Sequence, residues 1–105
     1  MTDLELTTLC ADAVGHVIVG THWSDRPIMV VGFGLYDPLY DNGQSLELLL
    51  YLLSSGVKIV IENNERGVRP VLVTNRTTVY EMFPLEQMRR SIVQCAATIQ
   101  KAKHG

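Results

Sequence analysis

The chain has 105 residues, 47% of them apolar and 19% charged, which is enough for one folded core and no second domain. Nine basic against eleven acidic residues leave a formal net charge of -2, so binding of duplex DNA through a broad basic surface is not expected. The densest apolar run, Leu46 to Leu53, is interrupted by Glu47 and falls short of the roughly 18 residues a membrane helix needs.

Taken in chain order, Thr2-Asp3 offers a helix start. Leu6, Leu9, Cys10, Ala13 and Val14 follow with helical spacing, and Gly15 is a C-terminal stop. Met1 to Glu5 carries two acids and no basic residue, unlike a secretory leader, so the expected location is the cytoplasm. In that reducing compartment Cys10 and Cys95 read as small core residues, and the sequon Asn75-Arg76-Thr77 has no role. His16 to Gly20 suggests a short strand, Thr21 to Pro27 a turn, and Ile28 to Phe33 a continuously apolar, central strand. Gln44 to Ser55 reads as a second helix, stopped by Gly56. Val57 to Ile61 and Val68 to Val73 read as a hairpin around the polar segment Glu62 to Gly67, and Thr77 to Tyr80 as a further short strand. Pro84 suits the first turn of a last helix. Leu85, Met88, Ile92, Cys95, Ala96 and Ile99 share one face of it, with Arg89, Arg90, Gln94, Gln100 and Lys101 facing away.

The order αββαββα describes an α+β domain, in which three helices cover a mainly antiparallel sheet of four or five strands. The second helix has no polar side. Either it is enclosed between sheet and helix, or Leu46, Leu48, Leu49 and Leu52 contact a second copy in a homodimer or higher oligomer. The second alternative is favoured, because so small a chain has few elements to cover both sides.

Tyr36-Asp37-Pro38-Leu39, then Asp41, then Leu46, Leu48 and Leu49 in a helix, resembles a pattern of small phage proteins. The opening helix, with Leu4 and Leu9 before Ala11-Asp12-Ala13-Val14-Gly15, and the basic-then-alanine-rich stretch from Pro84 to Ala102 are similar to theirs. The group is the phage α-β-α sandwich domain family. The resemblance implies a phage or prophage source, a host-cytoplasmic location, an α/β/α sandwich and an accessory role. It implies no catalytic residues.

The residues themselves point to binding rather than catalysis. His16 and His22 are six apart and His104 is next to the end, spacings that suit no common metal site, so neither metal nor cofactor is expected. His22-Trp23-Ser24-Asp25 holds triad residue types as sequence neighbours, which diverge in a turn, and there is no Gly-x-Ser-x-Gly elbow. Gly32-Phe33-Gly34 lacks the third glycine and following helix of a dinucleotide fingerprint.

Two polar-aromatic loops remain, Trp23 to Arg26 and Tyr36 to Asn42, with Arg66, Arg69 and Arg76 around the later hairpin. Aromatic rings stack on flat ligands, and guanidinium groups pair with phosphate or carboxylate. Trp23, Arg26, Tyr36, Asp37, Asp41, Arg66, Arg69 and Arg76 are therefore candidates for a pocket that takes a small anionic, nucleotide-like ligand, completed across a subunit boundary. The structural alternatives are Trp23 as a cap on the core, the arginines as solvated charge, and Asp37 and Asp41 as turn and cap residues. Three functions follow: withholding a nucleotide signal from host immunity, blocking a host protein, or an uncharacterised hydrolase, which the missing motifs disfavour.

Overall fold

The computed structural model describes residues 1–32, 34–65, 67–74, 79–82 and 85–104, without the side chains of 62, 64, 67–69, 85, 86 and 104. Among them are three helices and six strands in the order αβββαβββα. Helix α1 (Asp3–Ala13) opens on a threonine cap: Thr2 Oγ1 accepts from the Glu5 amide at 3.1 Å, and the same hydroxyl donates to Glu5 Oε1 at 3.4 Å. It ends where Gly15 takes φ +81°, the left-handed conformation that turns the chain into β1.

Strands β1 (Ile18–Trp23), β2 (Pro27–Val31) and β3 (Gly34–Tyr36) form one antiparallel meander with β2 in the middle. Where composition suggests a turn from Thr21 to Pro27, β1 continues through Trp23, and the turn is only Ser24-Asp25-Arg26. The strand expected from Ile28 to Phe33 is β2 and ends at Val31, Phe33 lies outside the described residues, and β3, which pairs Gly34 with Val31, is a strand the apolar pattern does not announce. Helix α2 (Asn42–Ser54) is capped by Asp41, whose carboxylate accepts from the Gln44 amide at 2.9 Å. Strands β4 (Lys58–Asn64), β5 (Gly67–Val73) and β6 (Val79–Glu81) make a second antiparallel meander. Helix α3 (Leu85–His104) closes the chain.

The sheet is therefore not one of four or five strands but two of three. The physical reason lies in α3. Residues 91–93 and 95–97 are all buried, so the helix is enclosed around most of its circumference and provides the centre that a single broad sheet was expected to provide. It packs against α1, α2, β5 and β6. Cys10, Ala11, Val93, Cys95, Ala96 and Ala97 are small enough to bring α1 and α3 close together, and all are buried. Both cysteines are free thiols within this core.

Several polar residues of α3 do not face away, as their spacing suggests, but tie it to its neighbours. Arg89 donates to the Leu39 carbonyl at 3.0 Å and to Asn42 Oδ1 at 2.8 Å. Arg90 pairs with Asp3 at 3.2 Å, and Gln100 donates to Asp12 Oδ2 at 2.7 Å. Ser91 donates to the Glu81 carbonyl. Helix α2 is covered on one side only: Leu48 and Leu52 are buried, while Leu46, Leu50 and Leu53 are 55%, 58% and 37% exposed.

Candidate functional site

The Tyr36-Asp37-Pro38-Leu39 motif is first of all a connector between β3 and α2. The Asp37 carbonyl accepts from the amides of Tyr40 and Asp41, closing a turn. Gln44, in the first turn of α2, accepts from the Asp37 amide at 2.6 Å and donates to the Leu35 carbonyl at 2.8 Å, continuing the strand pairing through a side chain. Leu39 is buried beneath it.

Arg26 reaches this connector from the β1–β2 turn. Its Nε and Nη2 both meet Asp37 Oδ2, at 2.8 and 2.7 Å, its Nη1 meets Asp25 at 3.2 Å, and its guanidinium lies 3.9 Å from the centre of the Tyr40 ring. Asp37 is 8% exposed, and its Oδ1 is buried with no partner among the described residues. The structure thus brings Arg26, Asp37 and the Tyr40 loop together, but two carboxylates already hold the guanidinium. Asp41 acts as the helix cap. Asp37 closes the turn and Asp41 caps α2, which is the structural alternative weighed for the aspartates, while Arg26 ties the β1–β2 turn to this connector.

The other candidates are dispersed. Trp23 ends β1 opposite Pro27 and is 66% exposed, so it does not cap the core. Arg69 stands opposite Glu62 in the β4–β5 register. Its side chain, and Arg66 and Arg76 altogether, lie outside the described residues. Among the oligomer candidates, Leu46 is turned outward, Leu49 is half-buried, and Leu48 and Leu52 belong to the core. The outward stripe is Leu46, Leu50 and Leu53, at i, i+4 and i+7.

Tyr36 turns away from the Arg26 lock and into a cleft of about 500 Å³. Its walls are the C-terminal turn of α1 (Ala13, Val14, Gly15), His16, Tyr36, and Glu47 and Tyr51 of α2. Each is placed by a local rule. The amide of His16 bonds back to the Ala11 carbonyl at 2.9 Å across the Gly15 turn. The His16 ring meets Tyr36 edge to face, centroids 5.0 Å apart at 73°. Glu47 and Tyr51 are four apart on α2 and share a face. From α3, Lys103 Nζ donates to the Tyr51 hydroxyl at 3.4 Å.

The electrostatics of the cleft favour hydrogen-bond donors. The carbonyl end of α1 carries the negative end of the helix dipole, and Glu47 adds a carboxylate. Burial first, then the neighbouring Cys10 and Glu47, push ionisation of the Tyr36 hydroxyl well above its ordinary range, so it stays a neutral phenol. Glu47, Tyr51 and Lys103 were not singled out by the sequence, and His16 was weighed only as a metal ligand. The available signal was the i, i+4 spacing of Glu47 and Tyr51, the only polar-tipped residues inside the leucine run.

Among the described residues, no three His, Cys, Asp or Glu side chains gather as metal ligands, and no helix is long and apolar enough to cross a membrane. Compared with protein-family models, curated proteins and solved structures, the chain matches none.

Proposed function

We propose that this chain is a phage-type accessory protein that binds a small, ring-bearing, nucleotide-like ligand, with the base in the cleft of His16, Tyr36, Glu47 and Tyr51. The observation that carries this reading is the cleft itself. Its volume of about 500 Å³ lies within the span of ordinary ligand sites, and aromatic rings and a few polar groups converge on it. An exocyclic amine on the ring suits the Glu47 carboxylate and the carbonyl end of α1. Lys103, beside Tyr51, supplies positive charge for a phosphate at the rim. Arg26, taken up by Asp37 and Asp25, is not needed for this mode. The phage source and the role in withholding a signal from the host rest on the family resemblance.

The test is a thermal-shift series with the monophosphates of adenosine, cytidine and guanosine, against uridine monophosphate and inorganic phosphate. A ligand that binds the folded state raises the melting temperature. The amine-bearing bases should do so, and Glu47→Gln and Tyr51→Ala should abolish the rise. No rise with any nucleotide, or a rise that both variants retain, removes the cleft from the account.

A second reading, a partner protein of the host, draws on the exposed Val19, Trp23 and Leu35 of the first sheet and Val17 just before it. Pull-down with Trp23→Ala as the control separates it from the first.

A further inference from the structure

Proteins that leave a sheet edge open to solvent normally protect it with bulges, prolines or very short strands. Three of the edges here follow that rule. Strand β1 is bulged between Ile18 and Gly20, and β3 and β6 are three residues long. Strand β4 is different. It has seven residues, a regular register against β5, and no described strand on its other side. Its centre, Ile59, Val60 and Ile61, is 42%, 40% and 65% exposed.

The register fixes which backbone groups face outward. In an antiparallel pair, residues alternate between exchanging hydrogen bonds with the neighbour strand and directing their groups away from it. Pro70 has no N–H, stands opposite Ile61, and sends its carbonyl to the Met82 amide on the β6 side at 3.2 Å. The Ile61–Pro70 pair is therefore a non-bonded one. Its neighbours at 60 and 62 bond inward, and the N–H and C=O of Ile59 and Ile61 point to the open edge.

We infer that β4 is a self-pairing edge: two copies of the chain join β4 to β4 antiparallel, about a twofold axis at Val60, into one six-stranded sheet. The occupant is a second copy because the strand is complementary to itself. Outward-facing residues must pair with outward-facing residues, so the axis can pass through 59, 60 or 61. Only the axis at 60 sets Lys58 opposite Glu62 of the partner subunit, twice, with Ile59 opposite Ile61 of the partner subunit. The axes at 59 and 61 pair Val60 with charged residues instead. Helix α2 packs on β4, so the same rotation brings it beside its copy and gives Leu46, Leu50 and Leu53 a surface to cover.

The test is size-exclusion chromatography with light scattering on the full chain, alongside dissociation constants from sedimentation. The expected mass is twice 11.7 kDa. Ile61→Pro removes an N–H that β5 does not use, so it should give a monomer that keeps the parent circular dichroism. Lys58→Glu and Glu62→Lys should each weaken the dimer about tenfold, since each replaces two opposite-charge pairs by like-charge pairs. The double exchange should restore it, because the pairs are re-formed with signs reversed. That rescue is specific to the Val60 register. A monomeric parent, a dimer indifferent to Ile61→Pro, or charge variants without rescue would overturn the inference. A dimer broken by Leu50→Glu but not by Ile61→Pro would place the contact on α2 alone and also overturn it.

Discussion

Arg26 separates a structural account of the Tyr36–Asn42 loop from a ligand-binding one. In the structure it gives two charge-assisted hydrogen bonds to one oxygen of a carboxylate that is 8% exposed, and it covers the Tyr40 ring. Arg26→Ala leaves that carboxylate buried without a counter-charge. A fully buried pair broken in this way costs about 3–5 kcal/mol. Because the arginine side chain is 29% exposed, water re-solvates part of the site, and about 2–3 kcal/mol is the appropriate figure. For a domain of this size that lowers the melting temperature by about 10–20 °C. Arg26→Leu combined with Asp37→Leu removes both charges and should recover about half of the loss, which a double-mutant cycle by calorimetry will measure. If Arg26→Ala melts within about 2 °C of the parent, the lock contributes little to stability and the reasoning fails. If it also loses ligand binding, the guanidinium serves a ligand after all.

The α2 leucines should divide by face. Leu48→Ala, at a fully buried site, costs about 3 kcal/mol in urea unfolding, whereas Leu50→Ala, at 58% exposure, changes the stability of the subunit by no more than about 0.5 kcal/mol. Burial pushes the Cys10 thiol up to about 12 and the Cys95 thiol up to about 11, from 9.0, so thiol reagents should label neither in the native protein and both after unfolding. The same shifts set a sign for alkaline pH. A thiol whose folded value is raised stabilises fully below pH 9.0, and the contribution is lost as pH rises through 11 to 12. Urea midpoints should therefore fall above pH 9, and Cys10→Ala should flatten the decline. A midpoint that rises with alkaline pH contradicts the burial of these groups.

Much of the fold was legible because its signals are local. Thr2, Gly15, Gly56 and the Asp41 turn mark helix ends by capping and left-handed geometry, and the chain obeys them. The hairpin around Glu65 was legible as a hairpin but not in its extent, since Glu62, Asn63 and Asn64 are polar residues held in a strand by pairing rather than by propensity. The division into two sheets was not legible. It follows from how far α3 is enclosed, which no local pattern announces. Arg89, Arg90 and Gln100 look like a solvated face in sequence, because their partners, Leu39, Asp3 and Asp12, are far away along the chain. The cleft was illegible for a similar reason: His16 and Tyr36 meet only after β1, β2 and β3 fold into a meander. Asp37 and Asp41 were read for two roles, and the structural one is the one seen.

The measurement that bears most directly on ligand binding is a nuclear magnetic resonance titration of the labelled chain with adenosine monophosphate. The account predicts saturable shifts at the Gly15, His16, Glu47 and Tyr51 amides, with the Trp23 indole unmoved. Shifts centred on Trp23, or none up to millimolar nucleotide, would contradict it.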